Sequence, residues 1–291
     1  MLSDAMESIV NVIAAAFALG ALVVASWPAD KNHPYGHGKV EFMTAAFEGG
    51  LIAFAALVIV AEGGRALLYG IAIQDLGAGI ALTLGVGTVN ALLGWFLIRT
   101  GRRHTSIALV ADGKHVLADF WTSVGVVVGL ALVASTGQPW IDPVVAIVVG
   151  LNLAATGWRV LRQAAGGLLD EEDPALLSEI LDAINENPMP GVIRLHFLRA
   201  IRSGGFRHVD AHLVVPEYWT VERAHDLADE VEVRVTRRIS GEAEIAFHID
   251  PCQRSHCRQC DVEDCPIRVE PFVGRSIIDM EEATRPEAPK R

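Results

Sequence analysis

Between positions 3 and 161 the chain alternates long apolar stretches with short polar connections. Five such stretches, at 3–26, 42–68, 76–98, 107–135 and 141–161, each reach the roughly 20 residues that an α-helix needs to cross a bilayer. Beyond 161 the period changes. Leu176, Leu177, Ile180, Leu181 and Ile184 recur at helical spacing over 174–186, and Pro188-Met189-Pro190-Gly191 stops that helix. A strand at 192–201, a Ser203-Gly204-Gly205 turn and a returning strand at 206–215 follow. In the second strand Val209, Ala211 and Leu213 alternate with His208, Asp210 and His212. A helix at 221–239 leads to a strand at 244–250, with Ile245, Phe247 and Ile249 on one face and His248 and Asp250 on the other. The order α-β-β-α-β predicts a small α+β domain with its helices on one side of the sheet. The expected organisation is a multi-pass α-helical membrane domain at 1–165, a soluble domain at 166–250, and a Cys-rich segment at 251–291 whose last residues, 280–291, read as disordered.

Composition agrees with a membrane protein. The 291 residues are 51% apolar, with the apolar positions crowded into the first 165. Lys31 and Lys39, then Arg99, Arg102 and Arg103, then Arg159 and Arg162, stand at alternate span ends, while 69–75 and 136–140 contain no Lys or Arg. Positive residues stay in the cytoplasm, so the C-terminal domain is expected there and Met1 outside. An odd number of spans with an exported, uncleaved start suggests that an earlier span is missing. No basic stretch precedes the first apolar run, so no cleavable signal is expected. The net charge of −11 argues against nucleic acid as a partner and suits a chain that collects cations.

Charge then appears where hydrocarbon should exclude it. Asp112, His115 and Asp119 stand at i, i+3 and i+7 in the fourth run, on one helical face. Asp4, Glu7 and Asn11 repeat the spacing in the first. Ionisable groups inside a span mark an ion path or a ligand site by default. Packed face to face, Glu7, Asn11, His115 and Asp119 would make a four-ligand metal site, with Asp4 and Asp112 as auxiliary groups. The alternative is a set of interhelical hydrogen bonds without metal. Asp30, His33 and His37, in a loop bent by Pro34, Gly36 and Gly38, offer a second site; the alternative is a solvated turn. His208, Asp210, His212, His225, His248 and Asp250 could form one or two regulatory sites, or simply a polar sheet face in water. Cys252, Cys257, Cys260 and Cys265 give C-x4-C-x2-C-x4-C. In a reducing cytosol that pattern suits tetrahedral zinc first, an iron–sulfur centre second, and otherwise free thiols. No spacing offers a closed metal triad with a separate general base, so an enzyme is not expected.

Three segments together resemble the cation diffusion facilitator family: Asp4-Ala5-Met6-Glu7-Ser8-Ile9-Val10-Asn11; Pro28-Ala29-Asp30 through His33-Pro34-Tyr35-Gly36-His37-Gly38-Lys39-Val40-Glu41; and Ala111-Asp112-Gly113-Lys114-His115-Val116-Leu117-Ala118-Asp119. The resemblance runs to about Asp250. It implies exchange of a divalent metal for protons across the cytoplasmic (inner) membrane, six spans, a cytoplasmic ferredoxin-like domain and a homodimer in the lipid bilayer. It implies transport ligands at Glu7, Asn11, His115 and Asp119, a loop site at Asp30, His33 and His37, and regulatory ligands at His212, His225, His248 and Asp250. It also pairs Lys39 with Asp170 between the two domains. The chain departs from the family in two ways. It begins where the second span begins, and zinc-type members carry Asp where Asn11 stands. An amide at that position hardens the donor set and leaves Fe²⁺, Mn²⁺ or Co²⁺ open beside Zn²⁺. The competing function is a non-transporting membrane metal sensor or scaffold.

Overall fold

A computed structural model describes residues 15–70, 77–239 and 242–285, with the backbone alone described at 77–84. It divides into two units, Met1–Leu169 and Asp170–Arg291.

The first unit is helical: α1 (Ala15–Ala25), α2 (Val40–Tyr69), α3 (Gly77–Arg103), α4 (Ile107–Thr136) and α5 (Ile141–Leu168). Among the described residues, α2, α4 and α5 are each long and apolar enough to cross a membrane. The 27 residues of α3 extend about 40 Å. The helices run past the apolar runs at their polar ends. α3 continues through Arg102 and Arg103, and α5 through Leu168, because helical hydrogen bonding persists beyond the hydrocarbon-grade residues.

Glycine sets the closeness of the helix pairs. On α3, Gly87, Gly94 and Gly101 fall at heptad spacing. A Cβ at Gly94 would sit 2.9 Å from the Gly113 carbonyl oxygen, and one at Gly113 would sit 2.9 Å from the Gly94 oxygen. α2 and α5 meet likewise, since a Cβ at Gly157 would approach the Ala53 nitrogen to 2.8 Å. Small residues let backbones approach where lipid supplies no hydrophobic drive between helices. Glu41, on the first turn of α2, anchors the start of α4. Its Oε2 accepts from the Ser106 hydroxyl at 2.5 Å and from the Ala108 N–H at 3.4 Å.

The second unit begins with α6 (Pro174–Glu186), capped by the Asp173 carboxylate, which accepts from the Ala175 and Leu176 N–H groups. Then follow β1 (Arg194–Ser203), β2 (Phe206–Val215), α7 (Val221–Thr236) and β3 (Glu242–Pro251). β1 pairs antiparallel with β2, and β2 pairs parallel with β3, in the order β1-β2-β3. α7 supplies the crossover that a parallel pair requires. Leu176, Leu177 and Ile180 of α6, Val209 and Leu213 of β2, and Val231 and Val235 of α7 are buried in one core. The expected alternation on β2 is therefore observed. On β1 it breaks: the register shifts between His196 and Arg199, with Phe197 at φ 52°. Leu195, Leu198 and Ala200 are all buried as a result.

The segment after β3 is folded further than its composition suggests. A 3-10 turn (Arg254–His256) leads into a loop held by Arg268, which donates to the carbonyl oxygens of Cys257, Cys260 and Val262. Asn185 exchanges two hydrogen bonds with the Ile278 backbone, and Arg194 pairs with Glu282. The stretch Met280–Ala283, expected to be disordered, is a short helix, α8, capped by Asp279. Apolar Ile278 and Ala283 supply the missing drive, since both are buried against the core.

Candidate metal sites

Asp4, Glu7 and Asn11 lie outside the described residues. Their expected partners His115 and Asp119 sit one turn apart on α4, with Asp112 one turn before. The His115 side chain is only 12% exposed. The Asp119 carbonyl accepts from the Thr122 and Ser123 hydroxyls, which satisfies polar groups that lipid could not.

The structure adds a residue that the sequence reading passed over. Glu48 of α2 is fully buried, and neither carboxylate oxygen has a hydrogen-bond partner among the described residues. Its Oε2 stands 3.9 Å from His115 Nδ1. Asp112 and Asp119 act electrostatically on the same carboxylate. The available signal was an acid inside an apolar run. Glu62 carries that signal too, yet lies exposed and paired with Arg65 at 3.1 Å, so sequence alone does not say which acid turns inward.

Asp30, His33 and His37 converge in the loop between α1 and α2, with one ligand atom of each inside 4.8 Å of the others. Asp30 Oδ1 accepts from the backbone N–H groups of Asn32 at 2.8 Å and His33 at 2.7 Å. These bonds, the His33 one foremost, hold its carboxyl below the usual range, so it stays an anion. Its Oδ2 lies 3.5 Å from His37 Nε2, and the two imidazole rings stand 4.3 Å apart. Gly36, at φ 76°, makes the reversal that brings His37 back.

Among the described residues, one other group of three metal-ligand-type side chains converges this closely: His196, His212 and Asp250. His196 is opposite His212 in the β1–β2 register, and His212 is opposite His248 in the β2–β3 register. Three imidazoles thus form a row across the sheet. Asp250 gathers them, with contacts of 3.3 Å to His196, 2.9 Å to His212 and 3.5 Å to His248. His196 was absent from the sequence-derived set because its place depends on strand register. The other members of that set stand elsewhere: His208 against Glu244, Asp210 against Arg199, His225 against Asp229.

The four cysteines are free, and no three of their sulfurs form a group within 4.8 Å. Cys257 and Cys260 are buried; Cys260 packs with Ile193, Val214, Val262 and Cys252. Burial pushes the Cys260 thiol up, which favours its protonated form. Lys39 immediately precedes α2 in the first unit, and Asp170, at φ 57°, opens the second.

Comparison with known proteins agrees with this architecture. Residues 1–169 match the cation efflux transmembrane domain, and residues 173–252 match the cation efflux protein cytoplasmic domain. An uncharacterized transporter of Synechocystis sp. is 39% identical over 254 residues, 87% of this chain and 81% of the relative. The cation-efflux pump FieF of Escherichia fergusonii is 30% identical over 253 residues, 87% of this chain and 83% of the pump, and FieF of Yersinia pestis matches to the same extent. With both domain types matched in order along the chain, it belongs to the cation diffusion facilitator family of cation efflux transporters.

Proposed function

We propose that this multi-pass membrane protein exports a divalent cation from the cytoplasm in exchange for protons, by alternating access. The observation that carries this is the meeting of Glu48 on α2 with His115 on α4, one turn before Asp119, inside two helices each long and apolar enough to cross a membrane. Buried charge of that kind needs a counter-ion more than a hydrogen bond. The cation is bound by Glu7, Asn11, His115 and Asp119, and its arrival displaces protons. An imidazole titrates near neutral pH in water, which suits His115 to carry one. Rocking of the helices opens the site to the far side, where protons release the metal. Zn²⁺, Fe²⁺, Mn²⁺ and Co²⁺ are the candidate substrates, since an oxygen-rich set with one imidazole accepts all four.

Asp30, His33 and His37 bind a cation at the loop, where they guide metal inward or couple loop position to occupancy. The His196, His212, His248 and Asp250 row binds regulatory metal, which biases the inward/outward equilibrium through a homodimer of the cytoplasmic unit. The protein acts in the inner membrane.

Proteoliposomes with an imposed pH gradient test this. Uptake of at least one of the four metals is expected, with collapse in His115→Ala and Asp119→Ala. No flux in any metal, or flux indifferent to both substitutions, refutes it; metal binding without flux would favour a sensor.

A further inference from the structure

We propose that Glu48 is a direct ligand of the transported cation, contributed by α2 to the His115–Asp119 face of α4. The proposal rests on the reading that His115 and Asp119 hold the ion. Its first support is the state of the carboxylate. Glu48 is fully buried in an apolar unit, and among the described residues both of its oxygens lack hydrogen-bond donors. A carboxylate so placed is costly unless a cation meets it.

The second support is the distance. Glu48 Oε2 and His115 Nδ1 lie 3.9 Å apart. That is too long for a hydrogen bond, which spans about 2.7–3.2 Å. Two ligands each about 2.1 Å from one divalent ion stand roughly 3–4 Å apart. The pair is therefore spaced as ligands of a common ion.

The third support is charge. Asn11 cannot ionise, so the set Glu7, Asn11, His115 and Asp119 on which this reading rests holds two carboxylates rather than three. Glu48 restores one. It also adds a hard oxygen donor, which favours Mn²⁺ and Fe²⁺ over Cd²⁺. Glu41, the other buried acid at the start of α2, is already engaged by Ser106 and Ala108 and does not compete for this role.

The test uses the full chain. Equilibrium Mn²⁺ and Cd²⁺ binding in detergent, and uptake of both in proteoliposomes, are compared for wild type, Glu48→Gln and Glu48→Asp. Glu48→Gln is expected to weaken Mn²⁺ binding at least about tenfold, the lower end of what loss of support around a bound metal costs, and to weaken Cd²⁺ binding less. Glu48→Asp recovers part of the Mn²⁺ affinity, which a merely structural role would not require. Metal-free Glu48→Gln is expected to melt no lower than wild type, because it removes a buried charge. Unchanged Mn²⁺ affinity in Glu48→Gln, with wild-type flux intact, overturns the ligand assignment and leaves the transport reading standing. Loss of Mn²⁺ binding in Glu48→Gln from a wild type that binds but moves no metal does the reverse. If Glu48→Gln does not fold, Glu48→Asp decides: affinity equal to wild type with no change in Mn²⁺/Cd²⁺ preference overturns the assignment.

Discussion

Replacing Asp250 with Asn tests the row of histidines most directly. Asp250 contacts His196, His212 and His248 at 3.3, 2.9 and 3.5 Å, so one carboxylate organises all three. Asparagine keeps the shape and removes the charge. Metal that binds only the folded form stabilises by RT ln(1 + [L]/Kd), about 2.7 kcal/mol at a hundredfold excess over Kd. Losing even a group that only supports the ligands of a bound metal costs about 10–100-fold in affinity. At the same metal concentration a hundredfold loss leaves only about 0.4 kcal/mol. For a unit the size of Asp170–Arg291, at about 4 °C per kcal/mol, the Zn²⁺-induced rise in Tm should fall from about 11 °C to about 2 °C. The assay is thermal unfolding of the soluble unit, 170–291, with and without Zn²⁺. His196→Ala should behave like Asp250→Asn, whereas His208→Ala, whose ring pairs with Glu244 instead, should keep the full shift. A Zn²⁺ shift that survives Asp250→Asn and vanishes with His208→Ala would refute the assignment made from strand register.

Three further predictions follow from the packing and the loop. Gly113→Ala places a methyl 2.8 Å from Ile98 Cγ1 and 2.9 Å from the Gly94 oxygen, so it should cost about 1–3 kcal/mol and lower Tm in detergent, while Gly64→Ala, with nothing within 4 Å, should not. Glu41→Ala removes the acceptor for Ser106 and Ala108 at the start of α4 and should destabilise by about 1–3 kcal/mol, read by the same melting assay. Asp30→Ala takes away the anion between His33 and His37 together with the acceptor for two backbone N–H groups; loop metal binding, measured by calorimetry in a His115→Ala background, should weaken at least about tenfold.

The architecture was legible because its signals are local. A run of apolar residues as long as a bilayer is thick has one stable conformation there, and strict alternation over 208–213 admits one face for the core. Turn residues at Ser203-Gly204-Gly205 and a Pro-Gly stop after 186 marked the elements of the soluble unit before any contact was known. The Asp30, His33 and His37 group was equally open to reading, since three ligands within eight residues converge through one glycine-assisted turn.

What sequence by itself determined, then, was which segments are helix or strand and which ligand types each carries. Tertiary structure decided which of them meet. His196 joins His212 and Asp250 only because residues 16 apart in sequence, on neighbouring strands, pair in one register and not in another. Glu48 is buried and Glu62 exposed although the 14 residues between them, about four helical turns, put both on nearly the same side of α2, so depth along the helix and not its face separates them. The cysteine spacing likewise did not show the packing of Cys260 with Ile193, Val214 and Val262, or the bonds from Arg268 to the Cys257 and Cys260 carbonyls. Spacing along a chain constrains ligands a turn apart, but convergence across elements depends on register and helix rotation, which are settled by burial summed over whole interfaces.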